Sequence, residues 1–204
     1  MHISEGILSA PVLATGAALA VAGTGIGLKK MDYDKIPEVA ILSSVFFVAS
    51  LIHVPLGPTS VHLILNGLLG LLLGWTAFPA ILVALFLQGI LFQFGGLTTL
   101  GVNTINMALP AVLCYFLFRN SITSVNNWRV IIGAFCCGFL AVGLSGLMVA
   151  LSLLFTGQSF LNVAKLILLA HLPIMVIEGL FTVFVVKFLK KVKPEMLEVA
   201  NATN

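Results

Sequence analysis

The sequence predicts an all-α, polytopic membrane protein with seven transmembrane helices in one membrane domain, residues 1–204. Composition is the first reason: 8% of the residues are charged and 60% hydrophobic, where a soluble domain carries about 25% charged residues. Mean hydropathy is +1.16. The second is a succession of apolar runs at approximately 8–28, 36–52, 61–76, 78–94, 103–118, 130–155 and 166–189, set against the roughly 20 residues that a spanning helix needs. The third is the placement of the basic residues, which agrees with seven alternating passes.

The first run, "ILSAPVLATGAALAVAGTGIGL", follows "MHISEG". It lacks a positive n-region and is longer than an h-region, so it is expected to be a retained helix and not a signal peptide. Ala10, Ala14, Ala18 and Ala22 recur every four residues in it. Such a stripe lets helices approach closely in lipid and makes span 1 a candidate docking face for a partner. The connection after it carries Lys29, Lys30 and Lys35. Between the second and third runs lies "HVPLGPTSVH", bounded by His53 and His62. The third run is short for a full span. The sixth is long and must tilt or pack irregularly. The seventh ends in "KFLKKVK".

Lysines and arginines gather in cytoplasmic connections. Lys187, Lys190, Lys191 and Lys193 therefore place the C-terminus inside, with 190–204 as a short cytoplasmic tail, and seven passes place the N-terminus outside. Lys29, Lys30 and Lys35 then fall inside, as do Arg119 and Arg129. Nine of the ten basic residues lie inside, and only Lys165 lies outside. The same topology puts all four histidines, His2, His53, His62 and His171, in the outer half.

The net charge of +3 does not mark a nucleic-acid binder. There is no G-x4-G-K-[ST] loop, no carboxylate pair and no Ser/His/Asp or Cys/His arrangement, which argues against an enzyme and against a bound nucleotide. Cys114, Cys136 and Cys137 lie in apolar runs without metal-ligand spacing and read as small buried hydrophobes.

The amino terminus carries chemistry of its own. A free α-amine at Met1, the amide nitrogen of His2 and the His2 Nδ1 can close a five-membered and a six-membered chelate ring that share the amide. Three nitrogens then lie in one plane, and a fourth completes a square. That donor set suits Ni(II) or Cu(II), with Co(II) possible under a looser geometry. The amide must lose its proton, which a strongly bound ion drives. The fourth ligand is His62 or His53. His62 has the better setting, one or two residues into a predicted helix, beside Ser60 and near Asn66 and Gly67, whereas His53 stands at a helix end beside Pro55. In "LFQFGGLTTLGVNTINMALP", the residues Gln93, Gly95, Gly96, Thr98, Thr99, Asn103, Thr104 and Asn106 crowd a segment at the outer face. Polar backbone at membrane depth must be buried in protein or line a cavity, so this segment is expected to pack over or beneath the N-terminal peptide. Glu178, seven residues after His171 on the same face of span 7, is a functional candidate because a carboxylate in a span is costly. Its expected role is to accept a hydrogen bond from another helix or from the N-terminal segment.

"MHISEG", "SVHLILNGLLGLLLG", "LFQFGGLTTLGVNTINMALPA" and "AHLPIMVIEG" together resemble the CbiM/NikM family, the membrane substrate-capture component of energy-coupling-factor nickel/cobalt transporters. The likeness runs from residue 1 to about 190. It implies a seven-helix bundle with one N-terminal helix more than the usual six, and an N-terminal segment inserted into that bundle. It implies that Met1 gives its amine, His2 its amide nitrogen and imidazole, and His62 the fourth nitrogen. It also implies a transmembrane coupling subunit, a cytoplasmic ATPase pair and often a small accessory membrane protein, in the cell (inner) membrane. Many relatives carry a histidine before the Gly-Gly where this chain has Phe94. The chain has no fused accessory domain after "KKVKPEML", so a separate accessory protein is expected. The function so implied is capture of Ni(II) or Co(II) from outside and ATP-driven release inside. Two other readings are a metal-binding or sensing subunit without transport and a vitamin-capture component. The last lacks an aromatic pocket, since Trp75 and Trp128 both fall on the inner side.

Overall fold

The computed structural model describes residues 2–51, 53–56 and 59–197. Among them are seven α-helices and one β-hairpin: α1 (Ala10–Lys29), α2 (Ile36–Ala49), β1 (His53–Leu56), β2 (Thr59–His62), α3 (Asn66–Leu73), α4 (Ala77–Phe92), α5 (Leu100–Ile122), α6 (Asn127–Thr156) and α7 (Leu161–Val192). Local chemistry sets several ends. Pro11 and Pro37 sit in first turns, where a missing N–H costs nothing. Asn126 caps α6 by accepting from the Trp128 and Arg129 amides. Lys29, Lys190 and Lys191 lie in last turns, where the helix dipole favours cations.

α5 is the central helix, packed against α1, α3, α4 and α6, while α7 packs along α6. α1 meets the bundle through Gly16, Ala20, Gly23 and Gly27. A Cβ on Gly16 would run into Val102, and one on Gly27 would lie 2.6 Å from Pro79 Cδ. The glycines thus allow α1 to lie directly on α5 and α4. Ala10, Ala14, Ala18 and Ala22 are on the other side and exposed. Large apolar side chains such as Val21, Leu169 and Phe184 are also exposed, as expected of faces turned to lipid.

Among the described residues, five segments are long and apolar enough to cross a membrane: Ala10–Lys29, Asn66–Phe92, Leu100–Ile122, Asn127–Thr156 and Gln158–Val192. α2, with 14 residues, is not among them. Asn66–Phe92 is not one straight span, because the chain turns back at Gly74, whose φ is +54°. α3 descends beside α5, with Asn66 next to Met107 and Gly74 next to Tyr115. α4 returns beside α2, with Ser43 bonded to Ala80 and Phe47 to Gln88.

The third predicted helix, 61–76, needs correction. Its start is extended, and the helix covers only Asn66–Leu73. The Ile64 and Leu65 amides are taken by the Glu178 carboxylate at 2.5 and 2.8 Å, and Leu65 has φ 56°. Those residues cannot also join a helix. His62 accordingly ends a strand instead of lying inside a helix, and the hairpin adds a strand pair to a chain expected to be wholly helical. At the far end, α7 runs on to Val192, and Leu197 is buried against a cluster that includes Ile122 and Val130.

Candidate metal centre

The N-terminal peptide enters the bundle. Ile3 is fully buried and His2 is 4% exposed. Asn103 holds Ile3 by both backbone groups: its Oδ1 accepts from the Ile3 amide at 2.9 Å, and its Nδ2 donates to the Ile3 carbonyl at 3.1 Å. Thr99 Oγ1 donates to the same carbonyl at 3.0 Å. Farther out, the Thr98 amide donates to the Glu5 carboxylate at 3.0 Å. The Gly95–Gly96 loop lies directly against this peptide. Both glycines have positive φ, +79° and +152°, and a Cβ on Gly96 would collide with the Glu5 side chain. Here glycine is required by space as well as by conformation.

His62 is brought to the same place from the hairpin. Its Nδ1 donates to the Leu63 carbonyl at 2.7 Å, and the next two amides are those fixed by Glu178. The His2 and His62 rings stack with centroids 4.8 Å apart and planes inclined by 28°. Phe94 lies 6.3 Å from the His2 ring. His2 Nε2 lies 2.7 Å from Gln88 Oε1.

The structure does not bring all the sequence candidates to this point. Met1 lies outside the described residues. His53 pairs with His62 through the backbone of the hairpin, and its side chain is likewise outside the described set. Asn66 is buried and donates to the Met107 carbonyl and to Ser145 Oγ, each at 2.9 Å, so it ties α3 to α5 and α6. Gln93 is exposed and ends α4 with φ 58°. His171 is buried, with Nδ1 donating to the Ile167 carbonyl at 2.6 Å. Glu178 accepts from the amides of the loop after His62. Sequence reasoning passed over Gln88 and Ser50. A glutamine inside the apolar run "ALFLQGILF" was the available signal, since a polar group at that depth needs a partner.

Among the described residues no group of three or more His, Cys, Asp or Glu side chains converges. A cation held between these rings would meet two imidazoles. Neutral nitrogen donors of this kind suit late first-row divalent ions.

Long apolar helices packed around a buried peptide near the amino end define a multi-pass membrane protein. The family described as CbiM, cobalt uptake substrate-specific transmembrane region, matches residues 2–196, and the chain belongs to that family. It is 44% identical over 200 residues, 97% of each chain, to a Haemophilus influenzae protein whose name assigns it provisionally to metal transport. It is 38% identical over 115 residues, 53% of this chain and 33% of the other, to the fused nickel transport protein NikMN of Rhodobacter capsulatus. A crystal structure of a truncated transition metal transporter superposes with TM-score 0.79 at 30% identity, covering 94% of this chain and 99% of that one.

Proposed function

We propose that this protein is the substrate-capture subunit of an ATP-driven importer of the energy-coupling-factor type in the cell membrane, and that its cargo is Ni(II) or Co(II). The donors in this reading are the Met1 amine, the His2 amide nitrogen and Nδ1, and the His62 imidazole. One observation carries it: two imidazoles from residues 60 positions apart in the chain stack at 4.8 Å in a buried pocket, one of them on a peptide whose backbone is gripped by Asn103. Asn103, Thr98 and Glu178 support the site by holding the two segments that bear the rings. Asn66 and Gln93 act farther away, in α3 packing and in the loop after α4.

The chain crosses the membrane seven times in this reading, N-terminus outside. The hairpin and α3 together make the third pass, and α2 with the start of the hairpin makes the second. The directions of α3, α4 and α2 support that count. A transmembrane coupling subunit meets the exposed stripe Ala10, Ala14, Ala18 and Ala22, a cytoplasmic ATPase pair hydrolyses the nucleotide, and a small accessory membrane protein completes the assembly. The relative named as a fused nickel transport protein supports such a membrane partner.

The test is uptake of radioactive nickel and cobalt by cells expressing the chain with and without the ATPase genes. Accumulation should require those genes. Metal binding with no ATPase-dependent uptake would overturn transport and leave a sensing subunit. In calorimetry, His2→Ala or one residue added before Met1 should abolish high-affinity binding, and His62→Ala should weaken it more than His53→Ala does.

A further inference from the structure

We propose that Gln88 is a positioning residue that fixes which nitrogen of His2 carries the proton, and so presents His2 Nδ1 to the metal. The inference rests on the metal-capture reading and on the hydrogen bonds around Gln88. Gln88 is fully buried. Its Nε2 lies 3.2 Å from the Phe47 carbonyl, which can only accept, and it also donates to Ser50 Oγ. The Ser50 hydroxyl spends its own hydrogen on that same carbonyl, at 3.0 Å. Turning the amide over would set Gln88 Oε1 against a carbonyl oxygen, two acceptors face to face. The amide is therefore locked with Oε1 toward His2, and at 2.7 Å it takes the Nε2 hydrogen.

A neutral imidazole has one N–H. With that hydrogen on Nε2, the lone pair of His2 is on Nδ1, the nitrogen close enough to its own backbone amide to close a six-membered chelate. His62 is set the opposite way: the Leu63 carbonyl takes its Nδ1 hydrogen, which leaves the lone pair on Nε2. Two stacked rings are thus held in opposite tautomers by two unlike acceptors, a side-chain amide and a backbone carbonyl. Outer partners of this kind orient metal-bound histidines and raise their basicity. Gln88 also ties His2 to the end of α2, so the ring is set by α4 and α2 together.

Imidazole nitrogen NMR of the full metal-free chain in nanodiscs reads the tautomers directly, and nickel titration calorimetry reads the consequence. The expected wild-type spectrum has Nε2–H on His2 and Nδ1–H on His62. Gln88→Leu removes the acceptor and should mix the His2 tautomers and weaken nickel binding about 10- to 100-fold. Gln88→Glu keeps an acceptor, ionised or protonated, and should restore most of the affinity. Nδ1–H on His2 in the wild type would overturn the proposal whatever the variants do. So would a Leu variant with wild-type affinity, or a Glu variant no better than Leu. A wild-type chain with the expected tautomers that binds no nickel would sink the capture reading and leave the role of Gln88 on the ring standing.

Discussion

Asn103 complements both backbone groups of one residue, as a neighbouring strand would, and on it the seating of the N-terminal peptide depends. Leucine has a similar shape and neither function. Asn103→Leu leaves the Ile3 amide buried without its acceptor, a loss of about 1–3 kcal/mol, or about 5- to 150-fold in nickel affinity. Asn103→Asp keeps the acceptor and loses the donor, and should fall between. Calorimetry on the three proteins gives the order, and wild-type affinity in the Leu variant would mean that Ile3 is held by other groups. This part of the site was visible in the sequence, because eight polar or glycine residues in one segment of an apolar chain had to pack against something. Gln88 was not, because a lone glutamine within a uniform apolar run names no partner; its bonds to Phe47 and Ser50 arise only when α2 and α4 lie side by side.

Among the elements, the long apolar helices α1, α5, α6 and α7 follow from composition and length, and their ends lie within a few residues of the apolar runs. The third element does not, because the group that breaks it is 114 residues away: Glu178 takes the amides that would have begun the helix. α1 shows a related difficulty. It carries two small-residue faces, and the alanines alone do not tell which one turns inward; the bundle takes the glycines because Val102, Phe78 and Pro79 press there. The α7 contact makes a prediction. Glu178→Ala orphans two buried amides at about 1–3 kcal/mol each and should lower the Tm by about 2–4 °C per kcal/mol. Glu178→Gln retains an oxygen acceptor and should lose less. A differential scan in detergent that finds the two variants equal would mean that another group satisfies the Ile64 and Leu65 amides.

For the whole molecule, the orientation in the membrane can be read by labelling. Val125 in the turn between α5 and α6 is fully exposed, and Leu97 in the loop before α5 is 57% exposed. With Cys114, Cys136 and Cys137 replaced, Leu97→Cys should react with an impermeant maleimide in intact cells, and Val125→Cys only after permeabilisation. The reverse pattern would invert the topology and move the histidines inside. The site's bonds also carry a statement about time. His2 meets Gln88 across 86 positions, Ile3 meets Asn103 across 100, and the residues after His62 meet Glu178 across 114. Chains are made from the amino end, so His2 and Ile3 wait for α4 and α5 before they are seated, and the loop behind His62 waits for α7. A chain interrupted before Glu178 would hold both His2 and His62 and still lack the carboxylate that sets the His62 loop.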